Sequence, residues 1–177
     1  MYGEATMDEI ELADYDPRWP VLFVEEAGRL RAALDPSLIL GLEHFGSTAI
    51  PGLSAKPIID ILIAVRSLTD ARAAFIEPLR RLDYVYWADN PKTDRMFFVK
   101  GMPPFGARRS HHIHVTEVQG EMWQRLTFRD YLRAHPDEAR TYERLKKQLA
   151  AAHRTDREAY TDAKSAYVEA VMRKTLT

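Results

Sequence analysis

Residues 38–65, LILGLEHFGSTAIPGLSAKPIIDILIAV, decide the fold. Two apolar runs flank a stretch of turn chemistry. The first, residues 38–45, reads as a strand. Gly46-Ser47-Thr48 follows it, and then Pro51-Gly52, a turn signal. The second run, Pro57 to Val65, is rich in β-branched residues and has strand length. It predicts a strand buried on both faces. Asp60 is the only charge in that run. Burying even a neutral polar group without a partner costs roughly 2–7 kcal/mol. An aspartate there either accepts backbone hydrogen bonds at the strand end or serves as a ligand at the mouth of a cleft.

Working outward, Asp16-Pro17 is a helix start, and Arg18 to Leu34 carries apolar residues at helical spacing until Asp35-Pro36 ends it. A helix is expected over Thr69–Leu82 despite Pro78. Strands are expected at 84–88 and 95–100, joined by Asp89-Asn90-Pro91-Lys92, and at 111–118 after a loop over 101–109. Beyond Gly120 the pattern is helical, with breaks near His135-Pro136 and Arg154–Asp156, which predicts three helices. The expected class is α+β: a small mixed sheet flanked by helices, with a helical C-terminal third. Residues 1–8 read as a loose tail and 9–177 as a single domain.

Composition sets bounds on function. The chain has 177 residues, 46% hydrophobic and 29% charged, which suits a globular domain. It has no cysteine, so disulfides and thiolate metal sites are excluded. Net charge is −1 with the signs interspersed, so no general nucleic-acid affinity is expected. No apolar run has the length of a membrane span, and the acidic first residues lack the apolar core of a signal peptide. The expected location is cytoplasmic. Oligomeric state is not readable.

Several side chains could carry chemistry. Gly46, Ser47 and Thr48 combine a permissive backbone with hydroxyl and N–H donors, as a phosphate-binding turn requires. The triplet is also common in ordinary turns, and the lysine of a Walker A motif is missing. Lys56 lies just before the Asp60 strand and could face a phosphate or only solvent. In His111-His112-Ile113-His114-Val115, alternation puts His112, His114 and Thr116 on one face. Two imidazoles so placed can ligate a metal or move protons near neutral pH, or can simply form a polar strand face. Glu43 and His44 precede the turn, and one of them points to its side. Arg95, Arg108 and Arg109 are possible cations for a phosphorylated ligand. The tyrosines of the C-terminal helices are explained by packing, with Arg129, Tyr131 and Lys164 able to reach a cleft from that side.

The string Glu43-His44-Phe45-Gly46-Ser47-Thr48-Ala49-Ile50-Pro51-Gly52-Leu53, continuing through Ala55-Lys56-Pro57-Ile58-Ile59-Asp60-Ile61, resembles the signature of the GrpB family. Phe128-Arg129-Asp130-Tyr131-Leu132-Arg133, His135-Pro136 and Tyr142-Glu143-Arg144-Leu145-Lys146 resemble its C-terminal half. The resemblance runs from about Ile10 to the last helix. It implies the fold of the nucleotidyltransferase superfamily, in which a Gly-Ser turn holds nucleotide phosphates and strand carboxylates hold two divalent ions, magnesium or manganese. Phe45-Gly46-Ser47 matches the turn and Asp60 the first carboxylate. Leu62 stands at the second carboxylate position, and His114 where a third is expected. Asp60, His112 and His114 instead resemble a two-histidine, one-carboxylate set, which suits one transition metal such as zinc better than two magnesium ions.

The resemblance therefore implies a protein that binds a nucleotide or phosphorylated metabolite at Gly46-Ser47-Thr48 and Asp60. It could be a nucleotidyl transferase using a divalent metal, a binding module that has lost catalysis, or a single-metal hydrolase using Asp60, His112 and His114. An interaction domain with an incidental polar cleft stands beside these.

Overall fold

The decisive strand sits at the centre of the sheet. The structure, a computed structural model, describes residues 9–175, so the expected tail at 1–8 lies outside the described residues. The central strand is β2 (Ile59–Val65). It pairs antiparallel with β1 (Ile39–Phe45) and parallel with β5 (His111–Glu117). β4 (Arg95–Lys100) and β3 (Tyr84–Tyr86) complete the order β1-β2-β5-β4-β3. The parallel β2–β5 pair needs a crossover, supplied by α2 (Leu68–Arg81) together with β3 and β4. Ser67 caps α2, accepting from the Asp70 N–H at 3.2 Å.

Strand alternation gives this sheet two faces of different character. Ile59, Ile61, Ile63 and Val65 join the main core, against Trp19, Ala27 and Leu30 of α1 (Trp19–Ala33) and Phe75 and Leu79 of α2. Asp60 points the other way, toward the C-terminal helices. These are α3 (Glu121–Gln124), α4 (Leu126–Ala134), α5 (Pro136–Ala152) and α6 (Arg157–Lys174). A second cluster of Ile50, Leu53, Leu132 and Tyr142 fixes the β1–β2 loop to α4 and α5.

Three expectations need correction in detail. Four helical segments follow β5 among the described residues, not three, because Arg125 both ends α3 and opens α4. α1 begins at Trp19: Asp16 accepts from the Arg18 N–H at 2.8 Å, so Asp16-Pro17 forms the turn leading into the helix rather than its cap. β3 ends at Tyr86, two residues short of the expected 84–88. None of the described helices is long and apolar enough to cross a membrane.

One buried ionic network ties α1 to the far edge of the sheet. The Glu26 carboxylate, with no exposed surface, accepts from the Tyr84 hydroxyl at 2.9 Å, Lys100 Nζ at 2.9 Å and Arg29 Nη1 at 2.8 Å. Burial pushes its pKa up, but hydrogen bonds from Lys100, Arg29 and Tyr84 outweigh this and hold it below the ordinary value. A depressed carboxyl pKa contributes stability above the unfolded pKa and loses it as pH falls through the folded one. Glu26→Ala strands Lys100 and is expected to cost about 3–5 kcal/mol in denaturant unfolding at pH 7. Wild type and variant should converge as pH falls from the ordinary carboxyl value through the lower folded one, where protonation of Glu26 releases the same interactions.

Candidate active cleft

The site face of the sheet follows directly from the register. Phe45 pairs with Asp60, and Asp60 with His112. Leu62 lies beside His114, and Phe97 of β4 pairs with His114 on its other side. Asp60, His112, His114 and Phe97 therefore share one surface. His112 Nδ1 lies 3.1 Å from Asp60 Oδ1 and His114 Nε2 lies 3.7 Å from the same oxygen. The Phe97 ring packs against both imidazoles, at centroid distances of 5.1 and 4.8 Å.

Electrostatics assign the protons. Burial raises the Asp60 carboxyl, yet hydrogen bonds from His112 and His114 hold it far below the carboxylate range. Burial lowers His112, with Asp60 opposing, so its imidazole is neutral at pH 7. Neutral His112 then donates its Nδ1–H to an anionic Asp60. Its Nε2, and the Nδ1 of His114, are buried without a hydrogen-bond partner. Buried polar atoms are rarely left so, and a ligand in the cleft can satisfy them.

Gly46 is set by this carboxylate. Its φ of 71° lies in the left-handed region, and a Cβ there would stand 2.6 Å from Asp60 Oδ2. Ser47–Ala49 then forms a short 3-10 turn. Thr48 is buried, its hydroxyl 3.0 Å from His44 Nε2 and donating to the Ile58 carbonyl at 3.3 Å, so it braces the turn. Ser47 and Lys56 line the cleft.

The register also settles Glu43 and His44. Glu43 lies on the Asp60 face but accepts from Arg129 Nη1 at 2.8 Å and does not line the cleft. His44 turns to the other face and stacks on Phe23 at 4.8 Å. Burial, with Arg133 and Arg129 adding and Asp60 opposing, lowers its pKa to about 4. Arg95 lines the cleft while paired with Asp94 at 2.9 Å. Arg109 lines it too, whereas Arg108 reaches out to Glu11 and Tyr131 stacks on His135.

The cleft holds about 370 Å³ between the sheet and the C-terminal helices. Among the described residues its lining includes Lys56, Arg95, Arg109, Arg125, Arg129, Lys146, Arg157 and Lys164 and one carboxylate, Asp60, while Asp94, Glu43 and Asp130 pair with Arg95 and Arg129 from outside the lining. Sequence reasoning missed Arg125, Lys146 and Arg157. A signal for the lysines existed: Tyr142-x-x-x-Lys146 and Tyr160-x-x-x-Lys164 repeat one spacing on consecutive helices, placing tyrosine and lysine on the same face.

A mixed sheet with helices on both faces, and a Gly-Ser turn pressed against a strand aspartate, defines an α+β domain of nucleotidyltransferase-like build. The model of the GrpB protein family matches residues 9–174, and the chain belongs to that family. A UPF0157 protein of Pseudomonas aeruginosa is 49% identical over 99% of this chain and 71% of its own length. The crystal structure of conserved protein GrpB from Enterococcus faecalis superposes with a TM-score of 0.82 at 35% identity, covering 94% of this chain and 97% of that one. The chain is also 31% identical, over 93% of its length, to a dephospho-CoA kinase of Mycolicibacterium paratuberculosis, of which it spans 46%.

Gly46→Ala is expected to destabilise the fold by about 2–4 kcal/mol, combining left-handed strain with a steric clash. In an Asp60→Ala background the contact with the carboxylate is gone and only the tight contact with the Cβ of residue 60, at 3.1 Å, remains, so the same substitution should cost less, about 1–3 kcal/mol. A double-mutant cycle in urea measures the difference.

Proposed function

We propose that the cleft binds a nucleotide or a closely related phosphorylated metabolite together with one divalent ion. The observation that carries this reading is the cationic lining: Arg125, Lys146 and Lys164, which form no ion pair among the described residues, stand with further arginines and lysines around a cavity of small-molecule size. Such a site favours a polyanion, and Arg and Lys are the side chains suited to phosphate. Phe97 and the aromatic rings of the C-terminal helices supply apolar wall. The similarity to part of a dephospho-CoA kinase agrees with a ligand of nucleotide type.

The donor set fits one ion. Asp60, His112 and His114 each offer a ligand atom, and these lie within 4.8 Å of one another. Two imidazoles and one carboxylate suit zinc, manganese or a similar metal. When bound there, such an ion would polarise a phosphoryl oxygen. Two-ion nucleotidyl transfer finds less support, because Leu62 is fully buried at the second carboxylate position and no other carboxylate among the described residues joins the cluster. The favoured reading is thus binding with single-metal chemistry. Lys56 and the arginines hold the anion, and in the metal-free site Asp60 holds the His112 ring in place through its Nδ1–H, a proton that an ion shared by the two would displace.

Protein purified without a histidine tag should bind ATP, ADP or AMP in the presence of Mn²⁺ or Zn²⁺ by titration calorimetry. Asp60→Asn should weaken the metal-dependent part by about tenfold or more, the loss of a charged ligand. Mass spectrometry of the same mixtures reads any turnover. Absence of binding by every nucleotide with either metal, or an unchanged Asp60→Asn, contradicts the proposal.

A further inference from the structure

The C-terminal helices do more than roof the cleft. On α5, Lys146 Nζ lies 5.2 Å from the centroid of Tyr142 and donates to the Ser54 carbonyl. On α6, Lys164 Nζ stands 4.0 Å over the Tyr160 ring, and Lys56 Nζ approaches the same ring at 5.3 Å. All three lysines and both tyrosines line the cleft. Lysines from three separate segments therefore converge where the two helices face the strand carrying Asp60.

Among the described residues little negative charge offsets Lys146 and Lys164. Lys146 is 1% exposed, and neither it nor Lys164 forms an ion pair among the described residues. Glu143, the nearest acid on α5, is engaged by the Ser54 N–H at 3.0 Å and by Lys147 at 3.5 Å. Asp60 is engaged by the histidines. Gathering like charges in a half-buried pocket is unfavourable unless an anion enters it. Aromatic faces soften that cost in the free protein without neutralising the charge.

We propose that Lys56, Lys146 and Lys164 form a polyphosphate subsite that grips the di- or triphosphate end of the ligand, apart from the Asp60–His112–His114 cluster. This rests on the reading of the cleft as a phosphate-ligand site. It adds a preference for linked phosphates over a single one, since three ammonium groups from different segments match a chain of oxyanions better than one phosphate.

The subsite has a protonic signature. Burial lowers Lys164 to about 7, with Lys56 and Lys146 adding and Asp60 opposing. Burial lowers Lys146 to about 7 as well, with Glu143 opposing and Lys56 and Lys147 adding. Tyr142 and Tyr160 are pushed up by burial and stay neutral. At pH 8 buried Lys146 and half-buried Lys164 are mostly neutral, and an arriving polyanion raises their pKa, so binding takes up protons. At pH 6 they are already charged and uptake shrinks. In the free protein they oppose folding in full below pH 7, and the penalty fades only as pH rises from there toward the ordinary lysine value, because the unfolded lysine binds its proton more tightly.

Titration calorimetry with sodium tripolyphosphate, pyrophosphate and orthophosphate, metal-free and in two buffers of different ionisation enthalpy, tests this. Wild type should bind tripolyphosphate about tenfold or more tighter than orthophosphate, with uptake of roughly one proton at pH 8 and less at pH 6. Lys164→Met should lose about tenfold in affinity and about half of the uptake, the rest staying with Lys146. Its unfolding midpoint at pH 6 should equal or exceed that of wild type, which separates ligand binding from a structural role. Lys146→Met, which also forfeits the Ser54 hydrogen bond, should lose binding similarly. Orthophosphate binding as well as tripolyphosphate, or both variants binding like wild type, overturns the subsite. Loss of binding accompanied by a lowered midpoint in Lys164→Met overturns it too.

The two proposals fail separately. Metal-dependent nucleotide binding that needs Asp60 but ignores the lysines sinks the subsite alone. Lysine-dependent tripolyphosphate binding, with no nucleotide tighter and no effect of Asp60→Asn, sinks the nucleotide reading alone. Wild type that binds none of these anions sinks both.

Discussion

An anion in the central strand of the sheet is the constraint around which the rest is arranged. Asp60 lies on β2, whose other residues are nearly all buried. It stays ionised because two histidines on the adjacent parallel strand face it. The parallel register puts His112 directly beside it and His114 one pleat along. On the antiparallel side, the residue that follows β1 must lack a side chain, since any Cβ at Gly46 would run into the carboxylate. Turn, strand and histidines are thus a single unit. The carboxylate accounts for the glycine directly, whatever part the turn also plays toward a phosphate.

The two faces of the sheet divide the work. The α1–α2 face is apolar and carries the main core, with the Glu26 network as a buried ionic knot satisfied within the protein. Among the described residues, the opposite face leaves polar atoms of His112 and His114 without partners and gathers Lys146 and Lys164 with little countercharge. Stability on one side is complete, and on the other it is held back in a form that a ligand can complete. Stability and affinity are expected to trade against each other there, as they do at sites built from buried like charges.

The fold was largely legible in the sequence because its signals are local. The β-branched run at 57–65, the turn residues between 46 and 52 and the alternation at 111–115 each mark a strand or its end by pattern alone. What pattern did not reveal depends on register and on distance. Glu43 and His44 are neighbours on one strand, and only the pairing with Leu62 and Ile61 tells which faces the site. The split between α3 and α4 at Arg125 carries no glycine or proline to announce it. Asp60, His112 and His114 were readable as chemistry-bearing residues, and the structure brings all three together. Lys146 was hidden because a lysine at helical spacing looks solvated until the strand opposite is known. The paired Tyr-x-x-x-Lys spacing was the one trace of it.

The most direct test of the account is a crystal soaked with Mn²⁺ and a nucleoside triphosphate, read by anomalous scattering. One metal peak should lie within about 2.0–2.2 Å of Asp60 Oδ1 and a nitrogen of each of His112 and His114. The phosphate chain should run from it toward Lys56, Lys146 and Lys164. A well-occupied nucleotide elsewhere on the protein, with no metal at Asp60, would contradict it.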